Sequence, residues 1–184
     1  MTIWTIGHST RTLEEFIALL QRERIESLWD VRAFPMSRRY PHFNRESLSV
    51  ALPAVGIAYE HAPQLGGRRP LPKNAEPTAW RNAGFKGYAA YMRTAEFRAA
   101  IDGLRAAAAI RRTTVMCAEA VPWRCHRSLI ADALIARGDE VLDILDSATK
   151  PHKLTSFAVV ADGEVTYPTA VAVPEQLGLP GVDG

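Results

Sequence analysis

The sequence contains few cysteines, few lysines and no long apolar run. Its two cysteines lie eight positions apart in 184 residues, which is not the pattern of a disulfide-stapled secreted protein. No stretch approaches the ~18 consecutive apolar residues of a membrane span, and the first residues lack a secretory pattern. These absences favour a cytoplasmic protein without a membrane partner.

The scarcity of lysine accompanies an abundance of arginine. Arginine supplies 18 of the 22 basic residues, and residues 32–98 hold 11 basic residues against four acids. The guanidinium presents a planar fork of donors that suits phosphate and carboxylate groups. A GC-rich genome would also raise the arginine total, but it does not explain the clustering. The clustering therefore indicates an anionic partner, either a small molecule or a nucleic acid.

Alternating apolar runs and helix signals predict a single α/β domain over residues 1–170. We expect an open, mostly parallel sheet of about five strands with helices on both faces. The predicted strands cover residues 3–6, 27–31, 57–61, 113–116 and 140–145. A short β-hairpin around Asp162-Gly163 is expected at the C-terminal end. Residues 171–184, rich in proline and glycine, are expected to form a flexible tail.

Helix-start signals support this alternation. Thr12 and Glu15 form a capping-box pattern, and Asn44 and Thr94 are placed to cap two later helices. A further helix is predicted from Cys125 to about residue 136, ending at Gly138. Residues 62–84 read as a long irregular loop, and such loops in compact domains are usually functional.

Polar side chains lie at the carboxyl ends of four of the predicted strands. His8 directly follows the first strand, Asp30 and Arg32 end the second, His61 ends the third, and Cys117 and Glu119 end the fourth. Open α/β sheets bind ligands beyond the carboxyl ends of their strands. The sequence therefore predicts a site at this edge.

The segment of residues 117–127 carries the densest chemistry. Cys125 is expected near a helix N-terminus, where a lowered thiol pKa would make it a nucleophile, although a packing role is equally compatible. Cys117, at the end of an apolar strand, is expected to be buried. Glu119 is a candidate general acid or base. We assign candidate catalytic roles to Glu119, Cys125, His126 and His8.

A second group of residues is predicted to bind the substrate anion. Ser9 precedes a capped helix, and Arg38 lies in a Ser-Arg-Arg-Tyr cluster. Asp30 and Arg32 have an alternative interpretation as an internal salt bridge, and Arg127 is similarly a candidate partner of Asp30 or Glu119. The predicted substrate-binding set comprises Ser9, Asp30, Arg32, Arg38, His61 and Arg127.

Two familiar chemistries are disfavoured by spacing. Six residues separate Cys117 from Arg124, which is not the Cys-x5-Arg loop of a cysteine phosphatase. Cys117, Cys125, His126 and His8 would supply ligands to zinc or iron. However, the adjacent Cys125 and His126 rarely both reach one ion, and the sequence has no Cys-x2-Cys pair. No metal and no cofactor is therefore predicted.

Six ordered blocks of the chain resemble the domain of unknown function 488 family. They are Thr5-Ile-Gly-His-Ser9, residues 30–38 (Asp-Val-Arg-Ala-Phe-Pro-Met-Ser-Arg), Leu65-Gly-Gly67, Phe85-Lys-Gly-Tyr-Ala89, Met116-Cys-Ala-Glu119 and Cys125-His-Arg127. His152-Lys-Leu-Thr155 and Tyr167-Pro168 also look like that family's ending. The resemblance implies an α/β fold and names no reaction. Residues 120–124 are less acidic than the family pattern, which argues against a metal held by loop carboxylates.

Three functions follow from these features. The first is an enzyme that acts on a phosphate-bearing substrate, such as a nucleotide, a modified nucleoside or a nucleic-acid end, by acid/base or thiol chemistry. The second is a nucleic-acid binding module that uses the basic surface of residues 32–98. The third is a thiol redox or metal-binding protein.

Overall fold

A computed structural model describes residues 1–169 of the chain. The tail expected at residues 171–184 lies outside the described residues. Over residues 1–169, none of the helices combines the length and the apolar character needed to cross a membrane.

The architecture is a six-stranded, mostly parallel sheet, which confirms the predicted α/β class. The strands are β1 (Thr2–Gly7), β2 (Ser27–Asp30), β3 (Ala58–His61), β4 (Thr113–Cys117), β5 (Glu140–Ile144) and β6 (Thr149–Pro151). Their order is β3-β2-β4-β1-β5-β6, with every pair parallel except β5 and β6. Strands β1 and β4 thus occupy the centre of the sheet, and their carboxyl ends meet at one edge.

Strand β6 was missing from the sequence-based sheet of about five strands. It is three residues long and contains Pro151, so it carries neither an alternating pattern nor a β-branched run. Proline is tolerated in a sheet only where its missing N–H is not needed, as on an edge strand. β6 lies at such an edge, antiparallel to β5.

Within residues 1–169, five α-helices cover the two faces of the sheet, which confirms the prediction of helices on both faces. They are α1 (Leu13–Arg22), α2 (Arg45–Ala54), α3 (Ala83–Tyr91), α4 (Ala95–Ile110) and α5 (Arg127–Ala136). One core joins α1 and α2 to side chains such as Trp4 and Ile6, and the other joins α3, α4 and α5 to side chains such as Ile3 and Val115. Neighbouring residues of a strand point to opposite faces. The continuous apolar runs of β1 and β4 therefore serve both cores.

The helix-start predictions are confirmed at Thr12 and revised at Asn44. Thr12 and Glu15 form the complete capping box of α1, an arrangement that stabilises a helix by about 1 kcal/mol. Asn44 occupies the N-cap position of α2, but its side chain accepts a hydrogen bond from the Ser37 amide at 2.6 Å instead of capping the helix. Asn44 therefore anchors the preceding loop.

The last helix begins later than the sequence indicated. A short 3-10 helix covers Pro122–Arg124, and α5 starts at Arg127 with His126 as its N-cap. The amide of Cys125 is bonded to the Pro122 carbonyl at 2.9 Å. Cys125 therefore precedes α5 instead of lying in its first turn.

The predicted hairpin is present as a separate two-stranded sheet. It consists of β7 (Val159–Ala161) and β8 (Glu164–Thr166), joined through Asp162 and Gly163, which both have positive φ. Val165 and Tyr167 bury their side chains in the same core as α5. The hairpin therefore packs on the same core as α5.

Candidate active site

Backbone hydrogen bonds hold the ends of three strands together at one edge of the sheet. The amides of His8 and Ser9 donate to the carbonyls of Cys117 and Ala118, each at 2.9 Å, and the Val31 amide donates to the Met116 carbonyl at 3.0 Å. The pairing of β1, β2 and β4 thus continues past the strands. The predicted convergence of polar residues at this edge rests on these bonds.

Gly7 permits the close approach of the loop that follows β4. A Cβ atom on Gly7 would lie 1.7 Å from the Glu119 carbonyl oxygen and 2.7 Å from Nη1 of Arg127. Neither neighbour is free to withdraw, because they are hydrogen-bonded to each other at 3.0 Å. Gly7 is thus required where β1 passes beneath the loop of residues 117–127.

A cavity of about 250 Å³ opens at this edge, and we call it the thiol cavity. It is lined by the two cysteines together with His126 and Glu119, by Arg32 and residues 33–34 after β2, by Gly67 and Arg68, and by Ala118. Four separate segments of the chain contribute to it. Because it combines thiols, an imidazole, a carboxylate and guanidiniums, this cavity is the candidate active site.

The two thiols of the cavity contact each other. Both cysteines are free and buried, and their Sγ atoms lie 2.9 Å apart. Burial opposes ionisation of Cys117, but the hydrogen bond from the Cys125 thiol and the nearby Arg127 guanidinium outweigh it and lower the pKa of Cys117 to about 7. The same hydrogen bond, together with burial, raises the pKa of Cys125 well above its ordinary value. Cys117 is therefore the thiol that ionises more readily, and Cys125 is the one that retains its proton.

This result reverses the sequence-based expectation for the two cysteines. The lowered pKa was expected at Cys125, on the assumption that a helix N-terminus would stabilise its thiolate. The helix starts too late for that, and the guanidinium of Arg127 contacts the other sulfur, with Nη1 2.9 Å from Sγ of Cys117. The burial expected for Cys117 is confirmed.

Arg127 is the strongest electrostatic feature of the site. Its side chain is fully buried, and it donates to Sγ of Cys117, to the Glu119 carbonyl and to the Ala120 carbonyl. Within residues 1–169 no carboxylate lies within 4.0 Å of it, so the alternative interpretation of Arg127 as a partner of Asp30 or Glu119 is wrong. A buried charge requires a compensating charge, and Cys117 is the ionisable group it contacts.

His126 lies beside the thiols as a neutral imidazole. Its Nε2 donates to the Val31 carbonyl at 3.0 Å, so the unprotonated Nδ1 faces Sγ of Cys125 at 3.5 Å. Burial and the Arg127 charge lower the pKa of His126 to about 4. The ring therefore offers a lone pair, and no proton, to the Cys125 thiol.

The side chains of His8, Asp30 and Arg32 hydrogen-bond to one another and to nearby backbone carbonyls. Arg32 makes a bidentate salt bridge with Asp30 and donates to the Phe43 carbonyl. Its Nη1 lies 3.3 Å from Nε2 of His8, whose Nδ1 donates to the Ser9 carbonyl at 2.9 Å. Burial, followed by the Arg32 charge, lowers the pKa of His8 to about 4. The internal salt bridge that was one of two interpretations of Asp30 and Arg32 is the one present.

The other predicted site residues are spread around the edge. Glu119 lines the thiol cavity with an exposed side chain. His61 bonds to the Arg32 carbonyl at 3.0 Å, and Ser9 takes a positive φ of 54° beneath the loop. Neither lines the cavity, and Arg38 is exposed away from it. The structure thus brings Glu119, Cys125, His126 and Arg32 together with Cys117 at one cavity.

Arg68 and Phe34 form a part of the cavity rim that the predicted site did not include. Both side chains are exposed, and the guanidinium of Arg68 lies 5.6 Å from the centre of the Phe34 ring. Within the described chain, no carboxylate pairs with Arg68. Arg68 and Arg69 directly follow the Leu65-Gly-Gly67 block in the sequence, but the position of Arg68 at the rim of the thiol cavity depends on the folding of residues 62–84.

A second buried polar cluster was also missing from the predicted site. His152 bonds through Nδ1 to Asp143 at 2.8 Å, and its Nε2 lies 3.6 Å from Asp132. Although burial opposes the charge, these two carboxylates raise the pKa of His152 to about 9. Its signal in the sequence was the His152-Lys-Leu-Thr155 block, which does not reveal that the imidazole is buried between two acids.

The basic surface expected over residues 32–98 is interrupted. Arg32 is buried, Arg69 donates to loop carbonyls beneath the ring of Tyr91, and Arg93 and Arg98 pair with Glu76 and Glu164.

No group of three or more His, Cys, Asp and Glu side chains in residues 1–169 is placed to hold a metal ion.

Comparison with known proteins identifies a family. The sequence model of the domain of unknown function DUF488 matches residues 12–134, a range that contains both cysteines, His126 and Arg68. The chain therefore belongs to the DUF488 family, as its ordered sequence blocks suggested. No curated protein and no solved structure matches the chain.

Proposed function

Because membership of the DUF488 family leaves the reaction open, we propose from the site that this protein is an enzyme acting on a phosphate-bearing substrate with the Cys117 thiolate as nucleophile. The single observation that carries the proposal is the buried Arg127 guanidinium, which contacts Sγ of Cys117 and no carboxylate within residues 1–169. A thiolate at neutral pH is the reactive form of cysteine.

The neighbouring thiol supplies the proton that the reaction requires. Sγ of Cys117 attacks the electrophilic atom of the substrate and forms a covalent bond to the transferred group. The leaving group departs with the bonding electron pair and takes the proton of the Cys125 thiol, 2.9 Å from the nucleophile. His126 accepts no proton from Cys125 at rest, since its own pKa is about 4.

Glu119 and Arg68 have complementary roles at the rim. The exposed carboxylate of Glu119 accepts a proton from the water that hydrolyses the covalent intermediate. Hydrolysis releases the Cys117 thiolate, and the proton passes from Glu119 to Cys125, which restores the resting thiol. Arg68 is the exposed guanidinium that remains to contact the phosphate, because the donors of Arg32 and Arg127 are directed at protein groups.

The experiment is a screen of nucleotides, modified nucleosides and short single-stranded oligonucleotides for turnover. On a substrate so identified, we expect Cys117→Ser to abolish turnover and Arg68→Ala to raise KM by about tenfold, the loss of one charged hydrogen bond. Arg81→Ala, an exposed arginine outside the cavity, serves as the matched control. Turnover that survives Cys117→Ser, Cys125→Ser and Glu119→Gln would exclude the assignment.

A second candidate, a dithiol oxidoreductase, is favoured by the contact of the two sulfurs. The Cys117 thiolate would attack a substrate disulfide, release one substrate thiol and form a mixed disulfide. Cys125, on losing its proton, would then attack Sγ of Cys117, form the intramolecular disulfide and release the second substrate thiol. Treatment with oxidised glutathione should remove two mass units from the protein, and Cys125→Ser should trap the mixed disulfide on Cys117. A protein that stays fully reduced under these conditions is not such an enzyme.

A further inference from the structure

A second cavity of about 640 Å³ borders the loop of residues 117–127 at Pro122 and Trp123, and we call it the tryptophan cavity. It is bounded by Trp123 and Pro122 of the loop, by Trp80, and by residues 150–153 around the edge strand β6. None of its lining residues also lines the thiol cavity. The volume is in the range of small-molecule sites.

Two indoles form the aromatic part of this cavity. Trp80 is held rigidly, stacked on Phe85 with ring centres 4.5 Å apart and contacted edge-on by Phe157 and Tyr167. Trp123 is 65% exposed, although tryptophan is a side chain whose burial is strongly favourable. A rigid indole and an exposed indole around one cavity are suited to a planar aromatic ligand.

The charges around the cavity favour an anion at its mouth. Lys150 and Lys153 are exposed, and within residues 1–169 neither ammonium group pairs with a carboxylate. Among the described residues of the lining, Asp143 is the single acid, and it is bonded at 2.8 Å to the imidazole of His152, which also lies 3.6 Å from Asp132. The lysines are thus available to a phosphate group.

Asp143 also favours an aromatic ligand whose ring carries a hydrogen-bond donor. Its two carboxylate oxygens accept from Thr5 at 2.6 Å and from His152 at 2.8 Å. A carboxylate has about four lone-pair sites, so each oxygen can accept one more hydrogen bond from the cavity. A ring that carries an amino group supplies such a donor.

From these observations we propose that the tryptophan cavity binds a nucleotide with an amino-bearing base, which packs on Trp123, donates to Asp143 and places its phosphate between Lys150 and Lys153. This site goes beyond the proposed function, because it uses none of the residues of the thiol cavity. Its position beside the loop that carries both cysteines would let an occupied cavity restrain that loop.

The test is calorimetric titration of the full chain with adenosine 5′-phosphate. We expect saturable binding that Trp123→Ala weakens by about tenfold, the loss of one base–aromatic stacking contact, and that Trp123→Phe largely preserves. The wild type should bind adenosine more weakly than adenosine 5′-phosphate. A Lys150→Ala, Lys153→Ala double variant should bind the two ligands with equal affinity, because it lacks the ammonium groups that contact the phosphate. Lys73→Ala, an exposed lysine outside the cavity, should match the wild type.

Two further comparisons separate this proposal from the thiol chemistry. Cys117→Ser should bind the nucleotide as the wild type does, whereas it abolishes the turnover proposed above. Inosine 5′-phosphate, which lacks the amino group, should bind more weakly than adenosine 5′-phosphate. Absence of saturable binding at millimolar concentration, or binding that is unchanged in Trp123→Ala, would overturn the proposal.

Discussion

Replacing Arg127 by methionine tests the origin of the Cys117 thiolate. Methionine keeps an unbranched side chain in the core but removes the guanidinium that lies 2.9 Å from Sγ of Cys117. A hydrogen bond to a charged group contributes about 1.5–3 kcal/mol, which corresponds to roughly one to two pKa units. We therefore expect the pKa of Cys117 to rise from about 7 to the ordinary thiol range, about 8.5.

This shift has a large effect on reactivity at neutral pH. Roughly half of the Cys117 side chains are thiolate at pH 7 when the pKa is about 7, and about 3% when it is about 8.5. The rate of Cys117 alkylation by iodoacetamide at pH 7 should then fall by roughly fifteenfold. Measuring the rate from pH 5 to 10, with peptide mass spectrometry to separate Cys117 from Cys125, gives the pKa directly.

Two variants control this experiment. Arg124→Met removes an exposed arginine from the same loop and should leave the alkylation profile of Cys117 unchanged. Arg127→Lys keeps the charge and should give a pKa between those of the wild type and Arg127→Met. A folded Arg127→Met protein whose Cys117 profile matches the wild type would refute the reasoning, as would a lysine variant that raises the pKa as far as methionine.

Three further predictions concern stability, each measured by urea unfolding. Asp30→Asn leaves a buried guanidinium without its counter-ion and should lower the free energy of unfolding by about 3–5 kcal/mol. Asp146→Asn removes a salt bridge whose carboxylate is 81% exposed, and it should lower the free energy of unfolding by at most about 1 kcal/mol. Equal losses in the two variants would contradict this prediction. Because the pKa of His152 is raised to about 9 in the fold from about 6.5 unfolded, its contribution is complete below pH 6.5 and is lost as the pH rises to 9. His152→Gln should therefore flatten the decline in stability between pH 6.5 and 9, which amounts to about 3 kcal/mol, and an unaltered decline would assign it to other groups. Gly7→Ala should cost about 3 kcal/mol or more because the new Cβ overlaps a carbonyl, whereas Gly56→Ala, with a positive φ and open space, should cost about 1 kcal/mol.

Much of the fold was predictable because its signals are local. The capping box of Thr12 and Glu15 lies within four residues, and the runs of β1 and β4 show directly that they are buried on both faces. Strand β6 was not predicted because three residues that include a proline show no periodic hydrophobic pattern. The helix start near Cys125 was misplaced because Cys125 closes the 3-10 turn of Pro122–Arg124 in an extended conformation, with φ −136° and ψ 147°, which an α-helix does not include.

The candidate site was predictable as a place but not as a set of contacts. Polar residues after parallel strands had to meet at one edge, and Cys125, His126 and Glu119 do line a cavity there with Cys117. Which guanidinium faces that cavity was not visible from the sequence. Arg32 is bonded within its own loop region, and Arg68 reaches the rim through the fold of residues 62–84.

The sequence by itself determined the class of the fold, the edge at which the polar residues collect and the family to which the chain belongs, because periodicity, capping and motif order are properties of neighbouring residues. Only the tertiary structure decided which cysteine ionises. That choice depends on a guanidinium ten positions away in the chain, on the loss of water around it and on the second thiol at 2.9 Å. Ionisation in a buried site depends on distances in space, and these are set by the packed fold as a whole.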